Sequence, residues 1–331
     1  MRAVEFYKTI TNDETAISFL QEKGIFPNSA DLPPCSKCSG KVHLYNKSGR
    51  IVVRCRQRTC RSEYSIRKFN MFFTYKNRIG HCKSGLSLQA ILEIVFCWIN
   101  EMPIVAAAKT TGRSKATLCD WYNLCREVTA IEFNKRAKMG GLGKIVQIDE
   151  CLLQGKRKSN KGRLRNADHR FEILNTDEND CNVYNIQRNY GIRLSGQWVV
   201  GIVEQLDDGT NEARFFIVDK RDQKTLHQLI CQEVEPYTTV YSDCWSGYNG
   251  LSALGFNHYT VNHSDHFIDP ISGANTQRIE AIWTRLRLKM VKQMKLSPLI
   301  DSHLIEHWYR LRYNKNLFES FFYHIRVNFM I

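Results

Sequence analysis

Apolar positions keep three different rhythms along this chain. Between residues 85 and 135, Leu86, Leu88, Ile91, Leu92, Val95, Phe96 and Ile99 recur at helical spacing. A second helix is expected over Ile104–Thr110, and Thr111-Gly112 leads out of it. A third begins near Ser114, a suitable N-cap, and runs through Leu118, Trp121, Leu124 and Val128. Helix, short glycine turn and helix make a helix-turn-helix-like pattern. From residue 144 the rhythm changes to short apolar runs alternating with amphipathic stretches. Strands are expected at Ile145–Glu150, Gln197–Val203, Arg214–Val218, Thr238–Asp243 and Phe256–Val261. Helices are expected at Gln223–Val234, Ser246–Leu254 and Thr276–Met290. Before residue 85 the pattern is sparse. One helix spans Asp13 to Lys23, with Gly24 stopping it, and two short strands in Lys41–Val53 flank the turn Asn46–Gly49. Trp121 reads as core rather than as a base contact.

Three strands followed by strands alternating with helices is the ribonuclease-H-like order, an α/β fold with a mixed sheet and helices on both faces. We therefore divide the chain into four parts. Residues 1–84 hold the first helix and a cysteine-rich unit, and 85–139 the helix-turn-helix-like region. Residues 144–300 form the α/β domain, and 301–331 a helical tail that packs on that domain or serves dimerisation. Gly140–Gly143 is the linker candidate.

Charge narrows the function classes. The chain has 331 residues, with 47 Lys+Arg against 33 Asp+Glu, a net charge of +14. Such a balance suits a polyanionic partner. The longest apolar run, Leu86–Ile99, is interrupted by Gln89 and Glu93 and is too short to span a bilayer. No signal-peptide core precedes it, so a reducing compartment is expected. There, 12 cysteines suggest metal ligands or free thiols rather than disulfides.

Four of these cysteines are paired in sequence. Cys35 and Cys38 precede Cys55 and Cys60 by a hairpin-length spacer, the layout of a zinc ribbon with a structural Zn²⁺. Around the second pair cluster Arg50, Arg54, Arg56, Arg58, Arg61, Arg67 and Lys68, followed by Tyr64, Phe69, Phe72 and Phe73. That surface suits DNA phosphates, with Arg54, Arg56, Arg58 and Arg61 as candidate contacts.

Chemistry concentrates in three acids. Asp149 and Asp243 each end an apolar strand, and Glu280 sits on a helix. This placement can bring three carboxylates to one end of a sheet, a ligand set for hard divalent cations. Two Mg²⁺ or Mn²⁺ ions there would suit phosphodiester chemistry.

The surrounding motifs are more specific. They are Ile148-Asp-Glu150, Gly155-Lys-Arg-Lys158, Gly196-Gln-Trp-Val-Val-Gly201, Tyr241-Ser-Asp243-Cys-Trp245-Ser-Gly-Tyr248, Val261-Asn-His263-Ser264 and Asn275-Thr276-Gln-Arg-Ile-Glu280-Ala-Ile-Trp283. They resemble the Merlin-type DDE transposases and their bacterial insertion-sequence relatives. The resemblance implies that Asp149, Asp243 and Glu280 are the catalytic acids and metal ligands. It implies supporting roles for His263, Asn275 and Trp283, with Trp283 packed beneath the site, and DNA contacts at Lys156, Arg157 and Lys158. It further implies hydrolysis at transposon ends and strand transfer into target DNA. Double-stranded DNA bearing terminal inverted repeats would be the partner. A homodimer or higher oligomer would follow, because synapsis joins two ends. The location would be the nucleus of a eukaryotic host, or the cytoplasm and nucleoid of a bacterial one. One departure stands out: additional residues near 164–190, including Asp177–Asp180, separate the first two strands. It motivates an alternative, an inactive or domesticated DNA-binding derivative.

Overall fold

The computed structural model describes residues 1–47, 50–74, 85–153, 197–262, 265–290 and 297–330. The chain divides into two compact units, Met1–Asn134 with Lys315–Ile331, and Lys135–Asn314.

The first unit opens with two helices, α1 (Ala3–Thr9) and α2 (Asp13–Glu22). Asn12 caps α2 by accepting the Thr15 N–H, and Gly24, at φ +67°, turns the chain away. Strands β1 (Val42–Lys47), β2 (Arg50–Cys55) and β3 (Glu63–Ser65) then form an antiparallel sheet in that order. Helix α3 (Leu88–Ile99) starts where Ser87 accepts the Ala90 N–H, and nearly every residue of it is buried. α4 (Ile104–Thr111) ends at Gly112 in the left-handed conformation. Ser114 then accepts the Thr117 N–H to start α5 (Lys115–Asn134). The first turn of α5 leaves Lys115, Ala116, Cys119 and Asp120 exposed, while Leu118 and Trp121 are buried.

The second unit is built around one sheet. Its elements are β4 (Met139–Gly140), β5 (Ile145–Leu153), β6 (Gln197–Gln205), β7 (Asn211–Val218), α6 (Gln223–Glu233), β8 (Val234–Glu235), β9 (Thr239–Asp243), β10 (Asn257–Val261), α7 (Gln277–Lys289) and α8 (Ile300–Arg312). The five long strands lie in the order β10-β9-β5-β6-β7. β5, β6 and β7 are antiparallel neighbours, whereas β9 runs parallel to β5 and β10 parallel to β9. This is the ribonuclease-H-like topology expected from the element order.

Both faces of the sheet are covered, which is why β5 reads as a nearly continuous apolar run. Val146 and Ile148, with Val200, Ile202 and Val240, pack against Leu226 and Ile230 of α6. The next residues along each strand point the other way. Cys151, Leu153, Val199, Val203 and Phe215 pack against Ile279, Ile282, Trp283 and Leu286 of α7 and against Ile300 and Leu304 of α8.

Four expectations change. Ser246–Leu254 is two 3₁₀ turns rather than a helix, because Gly250 between them sits at φ +89°. Gly140–Gly143 is not the joint between units, which falls at Asn134/Lys135; Gly140 pairs with Glu235 inside the second unit. Phe72 and Phe73 are core, not surface aromatics, and contact Trp121 and Phe26 respectively. The tail is two helices with different partners. α8 packs on β7, but the last helix, α9 (Leu317–Phe329), belongs to the first unit. There Phe318 and Phe322 meet Phe19, and Phe321 meets Phe72 and Trp98. Its aromatic face is thus buried within the chain.

Candidate active site

β5 and β9 run side by side in parallel, so their ends bring Asp149 and Asp243 to one edge of the sheet. α7 lies across the face that carries Asp149 and supplies Glu280. Asp149 senses the other two carboxylates. Burial first, then the Asp243 charge and more weakly that of Glu280, push the Asp149 carboxyl up to about 6.

Each acid has a holder. The Trp283 indole Nε1–H donates to Asp149 Oδ2 at 3.0 Å, so Trp283 is a direct partner of the first acid and also packs beneath it. The indole fits because residue 201, opposite Asp149 on β6, is glycine. A Cβ there would lie 2.5 Å from Trp283 Cζ2 and 2.8 Å from Ile279 Cδ1. The Trp245 backbone N–H donates to Asp243 Oδ1 at 3.0 Å. The Thr276 hydroxyl donates to Glu280 Oε1 at 2.9 Å.

That last bond has a consequence for α7. Thr276 is its N-cap residue, yet its side chain caps nothing. The first-turn N–H groups of Arg278 and Ile279 donate instead to Gln147 Oε1, at 3.0 and 3.2 Å. Gln147 stands two residues before Asp149 on β5, and its Nε2–H donates to Asn275 Oδ1 at 2.9 Å. One buried side chain thus ties the helix of Glu280 to the strand of Asp149. Asn275, expected beside the acids, acts here on the approach to α7, donating also to the Gly273 carbonyl.

A fourth acid accompanies the three. Glu150 faces the α6 side of the sheet, and burial, then the Asp243 and Asp149 charges, push it up to about 7. The Tyr248 phenol and the Arg221 cation act in the opposite direction. Glu150 Oε1 and the Tyr248 hydroxyl are both buried without a hydrogen-bond partner among the described residues. Burial, then the Glu150 charge, raises the Tyr248 phenol well above its ordinary value. The sequence motif displayed Glu150 and Tyr248 but carried no sign that they meet. Gln147 was equally invisible, since a polar residue on a strand gives no hint of the helix it caps.

The four cysteines come together in the first unit. Their Sγ atoms lie within 4.8 Å of one another, the only group among the described residues spaced to share a single metal ion. A hydrogen bond from Ser62, then one from the Lys37 N–H, brings the Cys35 thiol down to about 6. Cys38 is pushed up to about 12: the Gly40 N–H, which favours its thiolate, is outweighed by the Cys55 thiol, burial and the other two thiols. Thiols that oppose one another's ionisation in this way fit a group whose charge a cation completes. Arg56 and Arg58 stand exposed on the loop between Cys55 and Cys60, and Arg61 is exposed just after it. Arg54 differs: it pairs with Glu63 at 3.4 Å and lies over the Tyr45 ring. His263, Lys156, Arg157, Lys158 and the 164–190 stretch lie outside the described residues. No helix among the described residues is long and apolar enough to cross a membrane.

Residues 141–296 match the ISXO2-like transposase domain family, a segment that contains all three acids. An uncharacterized transposase-like protein of Haemophilus influenzae is 34% identical over 53 residues, 16% of this chain; the match spans 43% of that relative, less than half its length. The crystal structure of the Mos1 strand transfer complex aligns over 70% of this chain and 79% of that one. Its identity is 8% and its TM-score 0.20, a likeness too low to carry an argument. The strand order and motif spacing of residues 141–296 agree with this match, and the segment is similar to the ISXO2-like transposase domains.

Proposed function

We propose that the protein cuts DNA at transposon ends and joins the freed ends to target DNA, with Asp149, Asp243 and Glu280 as its catalytic acids. The observation that carries this reading is the convergence of the three carboxylates at one sheet edge, with the Asp149 carboxyl raised to about 6 by burial and its neighbours' charge. A half-buried carboxylate set against two neighbouring ones is a poor arrangement for stability and a good one for hard cations. The donor set fits two divalent ions, which together need not hold all three acids within reach of a single ion. When bound, such ions activate an attacking oxygen and stabilise the leaving one at phosphorus.

The chain's own residues set the geometry. Trp283 holds Asp149, Thr276 holds Glu280, and Gln147 keeps α7 against β5. Structural zinc on Cys35, Cys38, Cys55 and Cys60 would stiffen the ribbon. That would present Arg56, Arg58 and Arg61 to phosphates, a contact that adds affinity without sequence readout. Base readout would fall to the exposed first turn of α5.

The test is incubation of the full chain with a duplex carrying the inverted repeats that flank its coding region, with and without Mg²⁺. Cleavage at the repeat ends that needs the metal and disappears in Asp243→Ala supports the reading. Unchanged cleavage by that variant overturns the assigned site. DNA binding without any cleavage favours an inactive derivative.

A further inference from the structure

The corner joining β7 to α6 carries a group that the reading above does not use. Asp219, Lys220, Arg221, Asp222, Gln223 and Lys224 follow one another here, and Lys220 and Lys224 are exposed. Asp222 is committed to capping α6 through the Thr225 N–H at 2.8 Å. The guanidinium of Arg221 lies over two indoles, 3.7 Å from the Trp198 ring centroid and 4.5 Å from that of Trp245. Trp245 also donates its Nε1–H to the Arg221 carbonyl at 3.3 Å. Two separate elements, β6 and the turn after β9, therefore hold this one cation.

Its position is at the rim of the acids. The residue that stacks on it, Trp245, is the one whose backbone N–H holds Asp243. Its charge reaches Glu150. Trp198 pairs with Leu152, three residues beyond Asp149 on β5. Stacked indoles fix the plane of a guanidinium, and its several N–H donors lie along the edge in a fork that matches phosphate oxygens. A cation fixed in this way gives up little conformational freedom on binding.

We propose that this corner binds backbone phosphates of the DNA strand led to the acids, with Arg221 as the contact and Lys220 and Lys224 reinforcing it. A phosphodiester approaching a carboxylate cluster meets repulsion, and a fixed cation at the rim offsets it. The inference rests on the transposase reading only in taking the polyanion to be DNA.

The experiment measures binding of the full chain to a random-sequence duplex over a range of salt, with Ca²⁺ present to occupy the acids. The variants are Arg221→Gln and the exposed double variant Lys220→Ala/Lys224→Ala. A phosphate contact predicts that Arg221→Gln weakens binding and lowers the slope of log K against log salt by about one. The double variant, whose side chains support no core, should lower it as well. Slopes and affinities unchanged in both variants overturn the proposal, even if Arg221→Gln lowers the melting temperature, because that result marks the stack as structural. A wild-type chain that binds DNA through Arg221 but never cleaves it would sink the transposase activity and leave this contact standing.

Discussion

Replacing Gln147 with methionine would test whether a strand residue holds the helix that carries Glu280. The change keeps side-chain length and removes three hydrogen bonds: two from the Arg278 and Ile279 N–H groups and one to Asn275. The helix has no substitute cap, because the Thr276 hydroxyl is turned to Glu280. Loss of an ordinary N-cap costs about 0.5–2 kcal/mol. Here the Ile279 side is fully buried, and an orphaned buried donor adds about 1–3 kcal/mol. Together we expect the second unit to lose about 2–4 kcal/mol. Urea unfolding gives the stability, and hydrogen exchange at the Arg278 and Ile279 amides locates the loss. Gln147→Glu is the control, since a carboxylate still accepts both N–H groups and suits a helix N-terminus. It should keep the exchange protection that methionine loses. A methionine variant within about 0.5 kcal/mol of wild type, with both amides still protected, would refute the reasoning.

Two further outcomes follow from the titrating groups. The Asp149 carboxyl, raised to about 6 from its ordinary 3.8, keeps its proton longer in the folded chain than in the unfolded one. The metal-free protein should therefore lose stability as pH rises from about 4 to 6, by about 3 kcal/mol from Asp149 alone, and Glu150 extends the window to about 7. Mg²⁺ relieves this repulsion, so its effect on melting temperature should be larger at pH 8 than at pH 5; equal effects at both would contradict the account. At the ribbon, metal analysis of the purified chain should find zinc. A strong chelator should open Cys35, Cys38, Cys55 and Cys60 to thiol reagents and release exchange protection in β1–β3. Protection that survives the chelator would remove zinc from the ribbon's stability.

Much of this architecture was legible in residue order. β5 announces itself because both faces of a central strand are buried, so its apolar run continues until Asp149. The four cysteines declare their group by spacing, since a metal site needs its ligands close on two short loops. Asp149 and Asp243 could be paired because parallel neighbours end at the same sheet edge. Ser246–Leu254 misled, because its apolar spacing imitates a helix that Gly250 breaks.

What determines the working geometry was not legible, for one physical reason. Periodicity records which face a residue presents, but not what the chain brings to that face from far away. Gln147 caps a helix that begins 130 residues later in the numbering, roughly one turn of which it satisfies. Gly201 is small because Trp283 lies over it, and α9 returns to the first unit because Phe19 and Trp98 wait there. Sequence alone named the three acids and the four thiols as groups; only the packing of α7 on the sheet decided that Trp283 holds Asp149 and that Gln147 ties the helix of Glu280 to the strand of Asp149.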